Sequence, residues 1–247
     1  MGEILRTTVF RAKADAAFAD IVAGQYGISA KANIFECADT TDELTRKVRS
    51  HADGLRKYFG RASVEAFTSQ LEWLEYCTMS GLLVPNRWTQ DLISAHIEYT
   101  PALRHSAFIL DGYPRTVAAA RHLLDLLRRV DIPVSMVLHL SISKQEMISR
   151  ARLRGRQDDD EQALLSRYNF YVESVQPSVD FLKLELGSER VALIDAHQPV
   201  YEGNRADKIL KLEASISNVV TSVLLSLGVP AVVIRDLLDR EAPVVEP

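Results

Sequence analysis

Two stretches of this 247-residue chain hold residue types suited to handling phosphate. The first is Asp111-Gly112-Tyr113-Pro114-Arg115, a carboxylate and a guanidinium on one short turn. A planar guanidinium forks onto two phosphate oxygens at once, and the free amides of a helix starting just after it would add to the attraction. The second stretch runs Arg150, Arg152, Arg154, Arg156, Asp158, Asp159 and Asp160, with Arg167 beyond it. Five guanidinium groups within 18 residues, beside three carboxylates that hold some of them, suit a clamp on a multiply charged phosphate chain. Taken singly, each stretch also has a plainer reading. The turn can be a strand-to-helix connection with a solvated arginine, and the cluster a helix end where Asp and Arg pair in water.

The elements around these residues place them. His105–Gly112 (HSAFILDG) is a short apolar run ending at the turn, the pattern of a buried strand that delivers Asp111 at its C-terminal end. Residues 115–129 follow as a helix with Val117, Leu123, Leu124 and Leu127 inward, and 134–142 (VSMVLHLSI) reads as a second buried strand. Ser143-x-x-Glu146 opens the next helix with a capping box. A helix over 160–176, stopped or kinked at Pro177, continues towards 186; 191–194 is a third strand, and 205–227 an amphipathic helix carrying Ile209, Leu212, Ile216, Val219, Val220 and Val223. Strands alternating with helices predict a parallel α/β sheet covered on both faces, and such sheets bind ligands at the C-terminal ends of their strands.

The N-terminal third reads as helical: segments near 8–24 and 41–58 flank a loop with Gly24, Gly27 and Asn33, and Thr40-x-x-Glu43 is a capping box. From 62 to 79, Val64, Phe67, Leu71 and Leu74 recur on one helical face, with Gly81 as the stop. Residues 228–247 read as a short helix and a Pro-containing tail.

Composition narrows the classes. A net charge of −4 excludes the whole-chain basic footprint of a general nucleic-acid binder, so an anion site has to be local. With 47% apolar and 25% charged residues the chain is neither disordered nor collagenous. The uncharged stretch 218–234 is broken by Gly228 and Pro230, so no membrane span is expected. Cys37 and Cys77 stand alone, predicting free thiols in the cytoplasm and no zinc site. His139 reads as a core or edge residue, the other histidines have no metal spacing, and Trp73 and Trp88 read as packing. Oligomeric state is not legible.

Together the segments resemble the adenylate kinase family of nucleoside monophosphate kinases. Phe108-Ile-Leu-Asp-Gly-Tyr-Pro-Arg-Thr116 is similar to that family's FxLDGFPRT signature, and Gly81-Leu-Leu-Val-Pro85 to its G-x-LVP segment. The run Arg150-x-x-x-Arg154-x-Arg156-x-Asp158-Asp159, then Arg167-Tyr-x-x-Tyr171 and Pro177, is similar to its lid and post-lid helix. The resemblance covers about 76–200 and implies a P-loop-NTPase-like parallel sheet with helices on both faces, a monophosphate-binding lobe over 1–104, a core over 105–227 with a short lid near 150–160, and a tail over 228–247. It implies reversible transfer of the ATP γ-phosphoryl group to an AMP-like nucleoside monophosphate, with Mg2+. Arg115 would hold the acceptor phosphate beside Gly112, while Leu83, Val84 and Pro85 pack its base and sugar. Asp111 would organise the magnesium through water, and no residue would ligate it directly. Arg150, Arg154, Arg156 and Arg167 would close over the transferring group, with Asp158 and Asp159 at the lid hinge. The partners implied are ATP and the monophosphate, without nucleic acid or membrane.

Three departures qualify the resemblance. The family's ATP site uses a GxxxxGK[ST] loop, and this sequence contains no Gly-Lys dipeptide. Gly2-Glu3-Ile4-Leu5-Arg6 is similar to the family's STGD-x-LR segment, which lies after the first two strands; on that alignment Arg6 is a second phosphate clamp, and strand, loop and first helix are expected upstream of residue 1. The alternative expectation is a non-catalytic remnant that binds a nucleotide or protein partner. Residues 7–60 then read as a helical insertion, and Ala119 stands where the family's Gln reads adenine, which weakens base discrimination.

Overall fold

The computed structural model describes residues 2–37, 41–65, 68–154, 161–203 and 209–241. The chain forms two compact units, Met1–Ile132 and Pro133–Pro247, and among the described residues no helix is long and apolar enough to cross a membrane.

The first unit is helical: α1 (Gly2–Ala14), α2 (Ala16–Tyr26), α3 (Asp42–Ser50), α4 (Ala52–Phe59), α5 (Gln70–Ser80), α6 (Asn86–Tyr99) and α7 (Val117–Arg129). Val22, Ile28, Ile34, Val48, Leu55, Trp73, Leu74 and Cys77 form its dry centre, and burial pushes the Cys77 thiol up to about 12. Local polar chemistry overrides the apolar period at several boundaries. The helix expected over 8–24 is broken where Asp15 accepts from the amides of Ala17 and Phe18, starting α2; Gly24 lies inside α2, and Gly27 closes it in the left-handed region. The helix expected over 41–58 is broken at His51. Its cap is Thr41, which accepts from the Leu44 amide at 3.2 Å, whereas Thr40 lies outside the described residues. The helix expected from 62 begins only at Gln70, because Ser69 and Glu72 form a reciprocal capping box there. Val64 is nonetheless buried, and Phe67 lies outside the described residues.

The strand expected over 105–112 is not a strand. After a 3-10 turn at Pro101–Arg104, the segment joins no ladder among the described residues, and Ile109 is 90% exposed. An apolar run becomes a strand only where a neighbour pairs its amides and carbonyls.

The second unit holds the sheet: β1 (Val137–Ser141), α8 (Lys144–Arg154), α9 (Glu161–Phe170), α10 (Gln176–Leu186), β2 (Val191–Asp195), β3 (Tyr201–Glu202), β4 (Ile209–Leu210), α11 (Leu212–Ser226) and α12 (Ala231–Glu241). β1 and β2 run parallel, from Val137 opposite Val191 to Ser141 opposite Asp195, with α8, α9 and α10 as the crossover between them. The chain is therefore a helix-rich α/β protein, with α10 and α11 packed against β2. Where a helix was expected from 205, β4 instead pairs antiparallel with β3, and the helix starts at Leu212. Ile209, Leu212, Ile216 and Val220 remain exposed, as do Leu140 on β1 and Leu193 on β2.

Candidate phosphate-binding site

The Asp111–Arg115 turn is built from the glycine outward. Gly112 has φ of 75°, which L side chains avoid, and a Cβ there would meet Arg115 Nη2 at 3.2 Å. That clearance lets the exposed arginine fold back, so that Arg115 Nε donates to the Gly112 carbonyl at 2.8 Å. The next peptide bond, Tyr113–Pro114, is cis. Tyr113 is the anchor: its ring is buried, its hydroxyl donates to the Ala119 carbonyl at 3.3 Å, and burial raises the pKa of its phenol. Thr116 then caps α7, accepting from the Ala119 amide at 3.2 Å. Arg115 therefore sits one residue before the cap of a 13-residue helix, at the end where helix amides favour anions. Asp111, at the head of the turn, is exposed, and Ala119 is buried under Tyr113.

Behind the turn lies a polar cluster that sequence reading missed. His122 stands 3.2 Å from Ser94 Oγ through Nε2 and 3.5 Å from the Tyr113 hydroxyl through Nδ1. Burial lowers its pKa, outweighing the nearby Asp91 carboxylate, and burial raises that of Asp91. The one signal available was the i, i+3 spacing of Asp91 and Ser94, which puts both on one face of α6.

Leu83, Val84 and Pro85 connect α5 to α6. Gly81, at φ of 70°, ends α5; Val84 packs on the dry centre while Leu83 is exposed. Lys47 of α3 donates to the Leu83 carbonyl at 3.3 Å, a contact from the expected insertion that nothing in the residue pattern announces. Arg6 lies on α1, paired with Glu3 at 2.9 Å. It lines a groove of about 510 Å³ with Val9, Phe10, Lys13, Glu75 and Met79, where Lys13 and Tyr58 both donate to Glu75. The contacts of Arg6 and of Arg115 are thus to separate neighbours.

In the second unit, Arg150 is engaged twice: Nε donates to Glu146 at 2.6 Å and Nη2 to the Ala196 carbonyl, just beyond β2, at 2.9 Å. Glu146 also pairs with His197 Nδ1 at 3.0 Å, so the expected capping box keeps only its Ser143 half. Arg154 ends α8 and half-buried Arg167 lies on α9. Arg156, Asp158 and Asp159 lie outside the described residues.

The family model described as adenylate kinase matches residues 58–186, more than half of the chain. This chain belongs to the adenylate kinase family. The adenylate kinase of Mycobacterium ulcerans is 35% identical over 107 residues, 43% of this chain and 58% of its own length. That of Corynebacterium urealyticum is 31% identical over 127 residues, 51% of this chain and 66% of the relative. That of a Cyanothece species is 32% identical over 143 residues, 56% and 71%. The chain thus spans a little over half the length of the mycobacterial relative. The adenylate kinase match includes Leu83–Pro85, Asp111–Arg115 and Arg150–Arg167, and leaves Arg6 outside it.

Proposed function

We propose that this chain carries the acceptor-binding and phosphoryl-clamping parts of a nucleoside monophosphate kinase, which moves the γ-phosphoryl group of ATP to a nucleoside monophosphate. The observation that carries the reading is Arg115, exposed at the mouth of α7 on a turn whose glycine clears space for its guanidinium. In that reaction an acceptor phosphate oxygen forms a bond to the γ-phosphorus while the bond to the β–γ bridging oxygen breaks, and ADP leaves with the electron pair. No covalent residue is needed; placement and fixed positive charge supply the acceleration. Arg115 would grip the acceptor phosphate, and Arg154, Arg156 and Arg167 the transferring group, with Asp158 and Asp159 at the lid hinge. Leu83, Val84 and Pro85 would hold the nucleoside, with Arg6 as a second clamp. Arg150, which bridges Glu146 to the end of β2, would brace the clamp from behind.

Magnesium, when bound with ATP, neutralises charge on the polyphosphate. Magnesium on nucleotides keeps most of its waters and needs only one or two carboxylates, which the exposed Asp111 at the head of the turn could supply. Asp111 is that carboxylate in this reading.

A coupled ADP-release assay tests the proposal on the chain as it stands and on one extended upstream in the same reading frame, with AMP, CMP, UMP and GMP as acceptors. Activity that Arg115→Ala abolishes supports it. No transfer to any acceptor by either form would favour the binding-only remnant instead, a reading prompted by the sequence's lack of a Gly-Lys phosphate loop.

A further inference from the structure

The helical stretch that carries Arg167 changes gauge just after it. α9 ends at Phe170, Tyr171–Val175 form one wide turn in which the Gln176 amide bonds to the Tyr171 carbonyl, and α10 resumes at Gln176. Such a turn holds one residue more than an α-turn, so the helix before it is rotated by roughly 100° relative to an unbroken one. Pro177 gives one cause: it has no amide to donate, and in a regular helix its ring would strike the carbonyl of Glu173.

The other cause is a side-chain tie. The Tyr171 hydroxyl lies 3.0 Å from His139 Nε2 on β1 and donates to Gln176 Oε1 at 3.0 Å; the Tyr171 and His139 rings are 5.8 Å apart. Gln176 Nε2 in turn donates to Asp180 Oδ1 at 3.3 Å. A carboxylate only accepts, so Asp180 draws the Gln176 amide nitrogen to itself and leaves the carbonyl facing Tyr171. With its proton given to Gln176, the hydroxyl accepts from Nε2–H of a neutral His139, and burial favours that neutral ring. Strand β1, the wide turn and α10 are thereby joined through one oxygen. Arg167 stands four residues before Tyr171, on the same helical face.

We propose that Tyr171 is a positioning residue: its hydroxyl, tying His139 of β1 to Gln176 of α10, keeps the wide turn wound and holds Arg167 at the rotation that gripping nucleotide phosphate requires. This rests on the reading of Arg167 as a phosphate-binding cation. Calorimetric titration of the full chain with MgATP tests it through Tyr171→Phe, which keeps the ring, and Gln176→Ala, which removes the acceptor from the surface side. Each is expected to weaken MgATP about tenfold, the loss of one hydrogen bond's worth of orientation, while the melting temperature stays within a few degrees. In an Arg167→Ala background neither should weaken binding further. Unchanged affinity in both variants beside a clear loss in Arg167→Ala overturns the proposal, and so does a loss that persists in full without Arg167. If Arg167→Ala itself leaves MgATP binding as it was, the reading of Arg167 falls and takes the proposal with it. Should Tyr171→Phe fail to fold, Gln176→Ala decides between these outcomes.

Discussion

Arg115 has one nitrogen committed to its own turn and the rest of an exposed fork beyond it, an arrangement that trades side-chain freedom for aim. Arg115→Ala should cut phosphoryl transfer by two or more orders of magnitude with little change in urea midpoint, because an exposed guanidinium contributes little to folding. Arg115→Lys should recover only a small part, lacking the second prong; full recovery would mean that charge alone matters. His122 makes a different prediction. Its folded-state pKa lies below the ordinary value, so protonation favours the unfolded chain: stability is whole above about pH 6.5 and falls as pH drops below it. His139 has the same sign in the other unit. Urea midpoints at pH 7.5 and 5.5 should therefore differ, and His122→Gln should shrink the difference; an equal drop in the variant would place the loss elsewhere. Asp91, raised rather than lowered, acts with the opposite sign over the carboxylate range. The Asp111–Arg115 turn was legible from residue order. Its anchoring by Tyr113 was not, since a tyrosine declares neither its burial nor its partner until α6 and α7 are packed together.

At the scale of elements, helices were legible by period and their limits by chemistry, and the two disagree where a cap intervenes. Asp15 and Ser69 each start a helix several residues away from where the apolar pattern alone would put it, whereas Thr41 caps α3 at the expected start and the disagreement there is the break at His51. Strands were less legible: two of three expected ones formed, and 105–112 shows why, since pairing is a property of two segments and apolar composition of one. α4 offers a sharp test of packing. A Cβ on Gly54 would land on the Tyr76 hydroxyl, and Tyr76 has little room to retreat, stacked at 5.8 Å on Trp73 with Tyr58 and His51 edge-on. Gly54→Ala should thus destabilise the chain by about 1–3 kcal/mol, although alanine is the better helix former. In a Tyr76→Phe background, which deletes the nearest obstructing atom and leaves the ring carbon Cζ at 3.0 Å, the same change should cost distinctly less in a chemical denaturation series.

Across the whole molecule, the two units differ in what holds them. The first has a dense apolar centre with an aromatic cluster; the second has a two-stranded sheet with Leu140 and Leu193 in the open. That exposure was not legible, because an apolar strand residue looks the same whether or not its face is covered. The aromatic cluster has a practical side. Both of the chain's tryptophans, Trp73 and Trp88, are buried in the first unit, and the second has none. Indole fluorescence is consequently a private channel to residues 1–132. An emission-based melt is read from probes in that half, and far-ultraviolet circular dichroism adds the helices of the other. A tryptophan placed at Tyr168, beside Lys144, would open a second channel, within the unit that carries Arg167.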